Sequence, residues 1–205
     1  MIAPLHLAGE PGTQPRPFDR PRAERAVREL LAALGEDPDR EGLLETPARV
    51  ARAYQELVAG LHDDAARHLG RVFSQRSEDL VTLSDIEFTS LCEHHLLPVT
   101  GRAHIAYLPA NGQVVGLSKL ARTVDVFARR PQMQERLTAE IADAIVEHLD
   151  ARGALVVVEG EHSCLALRGA AKRGATMRTV AARGWFERDA ELRAETLALL
   201  LGRGR

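Results

Sequence analysis

The chain has 205 residues, 45% apolar and 27% charged, with a formal net charge of -2. That is enough for one buried core and ordinary for a soluble globule, without the basic excess of a nucleic-acid or anionic-membrane binder. No run approaches the roughly 20 apolar residues of a membrane span, and the start lacks a signal peptide's basic-then-apolar plan, so a cytoplasmic protein with no membrane and no nucleic-acid partner is expected.

Residues 1–18 carry Pro4, Pro11, Pro15 and Pro17 with Gly9 and Gly12 and no periodicity, which predicts a flexible arm. A helical region over 19–75 and a catalytic domain over 76–205 are expected to follow. Pro21 opens a helix with Val27, Leu30, Leu31 and Leu34 on one face, stopped by Gly35 and the step from Asp37 to Pro38. Thr46 and Pro47 read as N-cap and first turn of a second helix bearing Val50, Tyr54, Leu57 and Val58, which Gly60 ends.

Over 80–88 the pattern turns to period two, with Leu83, Asp85 and Glu87 opposing Thr82, Ser84, Ile86 and Phe88, and 104–108 reads alike. Two antiparallel strands joined by a long loop are predicted. Ser118 is expected to cap a helix with Leu120, Val124 and Phe127, interrupted by Pro131; a longer helix follows with Leu137, Ile141, Ile145 and Leu149, until Gly153. Residues 155–158 form a strand-like run, 164–167 are short and apolar, 180–186 read as a weaker strand, and 189–201 as a last helix. The order predicts an α+β fold with two helices between two pairs of antiparallel strands.

Cys92 and Cys164 are too few for a disulfide scaffold, and each lies within three positions of a histidine: Cys92 precedes Glu93, His94 and His95, and Cys164 follows His162 and Ser163. Thiolate and imidazole are the preferred zinc ligands. Three ligands, Cys92, His95 and Cys164, would leave a position open for water and Lewis-acid chemistry, with His94 and His162 kept as proton carriers. Spacing alone also allows a structural zinc completed by His94, or two cysteines buried as small hydrophobes. Lys119 and Arg122, three apart on one helix face, and Arg168 beside Gly169 could grip a polyphosphate, or be a solvated basic face. Glu135, next to Gln134 at a helix start, serves the helix dipole by default; facing a pocket, its carboxylate could accept from N1 and the 2-amino group of guanine.

Five segments together, 42–50, 92–98, 116–122, 130–138 and 162–169, resemble the GTP cyclohydrolase I family in order and spacing, over nearly everything after the first helix. The resemblance implies the tunnelling fold, with sheets of neighbouring subunits joined into a barrel in a homodecamer of two pentameric rings, and active sites shared between subunits. It implies Zn2+ on Cys92, His95 and Cys164, with Gln134 and Glu135 on the guanine. Leu117, Ser118, Lys119, Arg122 and Arg168 would contact the triphosphate and ribose. The implied reaction attacks C8 of GTP while His162 protonates N7, releases formate, and with His94, His162 and Ser118 rearranges the ribose to give 7,8-dihydroneopterin triphosphate. The chain departs from the family pattern at Val99 and over 176–180, where Arg178 is a candidate compensating charge for the triphosphate. The rivals are a zinc deaminase of the cytidine type, whose second cysteine would need a partner that Cys164 lacks, and a non-catalytic oligomeric member of the family.

Overall fold

A computed structural model describes residues 16–74, 78–110 and 112–202. The predicted arm falls, apart from its last three residues, outside the described residues. Helix α1, Arg20–Ala33, starts at Asp19, whose carboxylate accepts from the Arg22 N–H at 3.0 Å, and ends ahead of Gly35 at a φ of 87°. No residue of α1 is fully buried, and Leu30 and Leu34 are 57% and 71% exposed, so its apolar stripe stays largely uncovered within one chain. Helix α2 spans Thr46–Leu57 with Glu45 at the cap position; Thr46 is its first helical residue and accepts from Arg49 instead of capping. A 3-10 turn, Ala59–His62, and helix α3, Ala65–Leu69, follow. Gly60 lies in that turn, and α2 has already ended: a Cβ there would sit 2.3 Å from the Val126 carbonyl, so the glycine permits backbone to pack on backbone.

Strand β1 is Val72–Ser74, β2 is Val81–Cys92 and β3 is Pro98–Leu108. The predicted long loop between β2 and β3 is therefore only residues 93–97. The alternation read across 80–88 also breaks: the register shifts between Leu83 and Ile86, with Asp85 at a φ of 59°. This bulge turns Leu83 and Ile86, expected on opposite faces, to the same core.

Strand β4, Gln113–Val115, leads to helix α4, Leu117–Ala128, capped at Gly116 with no side-chain hydrogen bond; Ser118 lies in the first turn and is not the cap. Strand β5, Pro131–Gln132, precedes helix α5, Gln134–Leu149, which buries Leu137, Ile141, Ile145 and Leu149 as its period predicts and ends at Asp150 in the left-handed region, three residues before Gly153. Strand β6, Gly153–His162, helix α6, Ser163–Ala166, strand β7, Thr176–Gly184, and helices α7, Trp185–Arg188, and α8, Ala190–Leu201, complete the chain. The strand expected over 180–186 thus begins earlier and yields to helix at Trp185.

The main sheet has the order β5-β2-β3-β6-β7, antiparallel except for the β2 and β5 pair, and β1 pairs with β4 separately. Helices α4 and α5 cover one face, packing on Phe88, Ile105, Val156 and Val158; α8 and Phe186 cover part of the other, over Ala106, Leu155 and Val157. Burial on both faces explains the unbroken apolar run of β6. Beyond α8 that second face turns polar, with Glu87, Arg102, Glu159 and Arg178 side by side across four strands. Arg178 pairs there with Glu159, so the expected compensating charge already has a partner.

Candidate metal centre

The turn between β2 and β3 is built on Cys92. Its carbonyl accepts from the N–H groups of His95 at 3.2 Å and Leu96 at 2.7 Å, and its own N–H donates to Leu97 at 2.9 Å. Leu96 takes a left-handed φ of 53°, and its carbonyl accepts from the Tyr54 hydroxyl of α2 at 3.2 Å. The turn is also fastened to the start of α5. The Glu93 N–H donates to the Gln132 carbonyl at 3.1 Å, the Glu93 carboxylate pairs with Arg136, and Arg136 Nε donates to Gln132 Oε1 at 2.6 Å. Glu93, Arg136, Gln132 and Tyr54 were not singled out as functional from the sequence. Glu93, Arg136 and Gln132 lie inside the matched segments, but no spacing rule pairs them across 40 residues.

β6 ends at His162, opposite Val99 of β3, which brings the one-turn helix α6 and Cys164 beside the turn. Cys92 Sγ stands 3.7 Å from Cys164 Sγ and 3.7 Å from His95 Nδ1, although the two cysteines are 72 positions apart. A tetrahedral ion about 2.3 Å from sulfur and about 2.0 Å from nitrogen places its ligand atoms about 3.5–3.8 Å apart, so these residues fit such an ion. Among the described residues Cys92, His95 and Cys164 form the converging set, their ligand atoms all within 4.8 Å of one another. His94 Nδ1 is 3.9 Å from Cys92 Sγ but does not belong to that set. Burial, reinforced by the facing Cys92 thiol, pushes the Cys164 thiol above its ordinary value, with Arg168 pulling more weakly the other way. An ion would therefore displace a proton on binding. The Arg168 guanidinium lies against His95 Nε2 at the exposed edge.

His162 sits two residues before Cys164 with its Nε2 2.9 Å from Gln134 Oε1. Burial lowers its pKa, and the nearby Glu135 carboxylate opposes that shift. Glu135 is exposed on the first turn of α5, whereas the Gln134 side chain is buried and its amide nitrogen faces Val158 O, Met177 O and Thr179 Oγ1. One chain thus gathers Cys92, His94, His95, Glu135, His162, Cys164 and Arg168 around the turn.

Leu117, Ser118, Lys119 and Arg122 stand apart. The C-terminal end of α4 leads into β5, which pairs with Leu91 and Cys92, while these four lie toward the opposite end of a 12-residue helix about 18 Å long. Arg122 lines a different hollow with Gly60, Asp63, His68 and Arg129. No hydrogen bond or ion pair among the described residues joins them to the metal set.

The family model of GTP cyclohydrolase I matches residues 23–201. GTP cyclohydrolase 1 of Corynebacterium glutamicum is 58% identical over 188 residues, 91% of this chain and 96% of its own length. That of Desulforamulus reducens is 54% identical over 184 residues, 90% and 98% of the two chains, and that of Thermobifida fusca 54% over 193 residues, 94% and 93%. Among solved structures, the apo archaeosine synthase QueF-Like overlaps 53% of this chain and 96% of its own at 18% identity and a TM-score of 0.44, too loose a likeness to argue from.

Proposed function

The chain belongs to the GTP cyclohydrolase I family, and from that premise we propose that Cys92, His95 and Cys164 hold a zinc ion at the centre of its reaction. The enzyme hydrolyses GTP and rearranges it to 7,8-dihydroneopterin triphosphate with release of formate, the entry step to folate and pterin synthesis. The observation that supports the metal assignment is the convergence of two sulfurs and one imidazole from separate segments at ligand spacing.

When bound, the ion supplies the Lewis acidity that makes water nucleophilic near neutral pH. The chain's own groups do the rest. Glu135, exposed at the mouth of the site, accepts from N1 and the 2-amino group of guanine, a donor pattern adenine lacks. His162 takes up the proton that the attacking water releases and passes it to N7 as C8 is attacked; burial, which lowers its pKa, favours the neutral ring that can accept that proton. His94, beside the ligands, assists the later ribose opening and rearrangement together with Ser118. Arg168, Lys119 and Arg122 hold the triphosphate, and Leu117 and Ser118 the sugar and phosphate edge.

The separation of Leu117, Ser118, Lys119 and Arg122 from the turn supports a site completed by a second copy. The sheet supports the same arrangement: among the described residues β7 is paired on one side only, and β2 meets β5 only at Leu91 and Cys92, leaving two long strand edges open there. Edges joined between copies close a barrel, as in the tunnelling fold, and a homodecamer is the assembly we infer. No helix of the described residues is long and apolar enough to cross a membrane; with two free cysteines, the cytoplasm is the compartment we infer.

The test is incubation of the purified enzyme with GTP, with and without a chelator, following formate and the fluorescent oxidised pterin. Formation of both, abolished by the chelator and restored by Zn2+, is expected. Turnover that survives exhaustive chelation would overturn the metal assignment, and ammonia in place of formate would indicate a deaminase.

A further inference from the structure

We propose that Gln134 is a positioning residue, fixing His162 in one tautomer so that Nδ1 is the nitrogen exchanging protons with the substrate. The proposal rests on the reading of His162 as a proton carrier and goes further by assigning the atom and what fixes it.

Which end of the Gln134 amide faces His162 is decided by its other partners. Its nitrogen lies 3.0 Å from Val158 O and 3.0 Å from Met177 O, and backbone carbonyls can only accept. Turning the amide over would set its oxygen against two carbonyl oxygens in a site only 4% exposed, acceptor facing acceptor. The NH2 group must therefore face β6 and β7, with Thr179 Oγ1 at 3.2 Å as a third acceptor; that hydroxyl is also 2.6 Å from Thr138 Oγ1. Oε1 is left to face His162 Nε2 at 2.9 Å, so Nε2 must carry the hydrogen. Nδ1 has no hydrogen-bond partner among the described residues and is free to accept and return a proton.

The packing leaves the amide little freedom. A Cβ on Gly160 would lie 2.6 Å from Gln134 Oε1, so the absence of a side chain there makes room for that oxygen. Through each transfer Nδ1 gains or loses one proton while the Nε2–H stays bonded to Oε1, which also favours the ring when it is charged. With its amide hydrogens committed to β6 and β7, Gln134 acts on the reaction through His162, and Glu135 is left as the acidic contact for guanine.

The first test needs no substitution. Solid-state 15N spectra of the zinc-loaded enzyme labelled in histidine, at a pH where the ring is neutral, should show His162 protonated at Nε2, its signal identified by loss in His162→Gln. A neutral ring protonated at Nδ1 would overturn the proposal. In kinetics, Gln134→Met should lower kcat at least about tenfold with KM for GTP within about twofold and zinc content unchanged. A raised KM with kcat retained would make Gln134 a guanine contact, and no change in either would leave it without a role; both outcomes refute positioning. If Gln134→Met does not fold, Gly160→Ala, which presses on Oε1, carries the same expectation. Full turnover by His162→Gln would instead refute the underlying assignment of His162, whatever Gln134 does.

Discussion

At the scale of residues, the centre is an outcome of chemistry more than of pattern. Cys92 and His95, three apart, could be paired from sequence because a turn can aim both at one ion; Cys164, 72 positions from Cys92, joins them through its own nearby histidine and the preference of zinc for sulfur. Invisible in the sequence was what orients them. The Glu93 carboxylate holding Arg136, with Arg136 on Gln132, couples the turn to α5 without touching a ligand atom, so it acts less strongly than the direct partner of a ligand, worth roughly 10–100-fold in metal affinity. Glu93→Gln should weaken zinc binding by less than about tenfold, measured by competition with a chromophoric chelator. Unchanged affinity would show that the turn holds its shape without the pair.

At the scale of elements, long periodic segments were legible and short or irregular ones were not. The α5 stripe of Leu137, Ile141, Ile145 and Leu149 is buried as expected, whereas β1, β4 and β5, of three, three and two residues, are too short to show a period. The β2 bulge escaped because Asp85 keeps the sequence alternating while the backbone shifts by a residue. The charged row across the sheet was equally hidden, being set by register. Within it, the hydrogen bond from Arg178 holds the Glu159 carboxyl below its ordinary 4.5, with the charges of Arg178 and His104 adding to the shift. A carboxyl lowered on folding stabilises fully above its unfolded value and loses that contribution as pH falls through the lowered one. Arg178→Gln should therefore reduce stability at pH 7 by less than about 1 kcal/mol, since the guanidinium is half exposed, and the difference should vanish once pH falls below the carboxyl's lowered folded-state value. Thermal unfolding of both proteins across pH is the check; a difference that persists in acid would mean that Arg178 acts by packing.

At the scale of the whole molecule, one chain carries the convergent Cys92, His95 and Cys164 at one end of the sheet and Lys119 and Arg122 in the N-terminal half of α4. The sequence displayed both sets without their separation, because distance along a helix becomes distance in space only once the fold is known. If a site takes its metal from one copy and Lys119 and Arg122 from another, Cys164→Ala and Arg122→Ala should each be inactive alone yet regain turnover when dissociated and reassembled together, with about a quarter of the sites intact in a random mixture. Absence of any recovery in verified mixed oligomers would place the whole site in one copy. Beneath all of this lies the claim that two sulfurs and one imidazole share an ion with room for water. X-ray absorption at the zinc edge of the purified enzyme tests it most directly: two sulfurs at about 2.3 Å, one imidazole nitrogen at about 2.0 Å and one further light atom are predicted, and a shell lacking two sulfurs, or closed by a second imidazole, would contradict it.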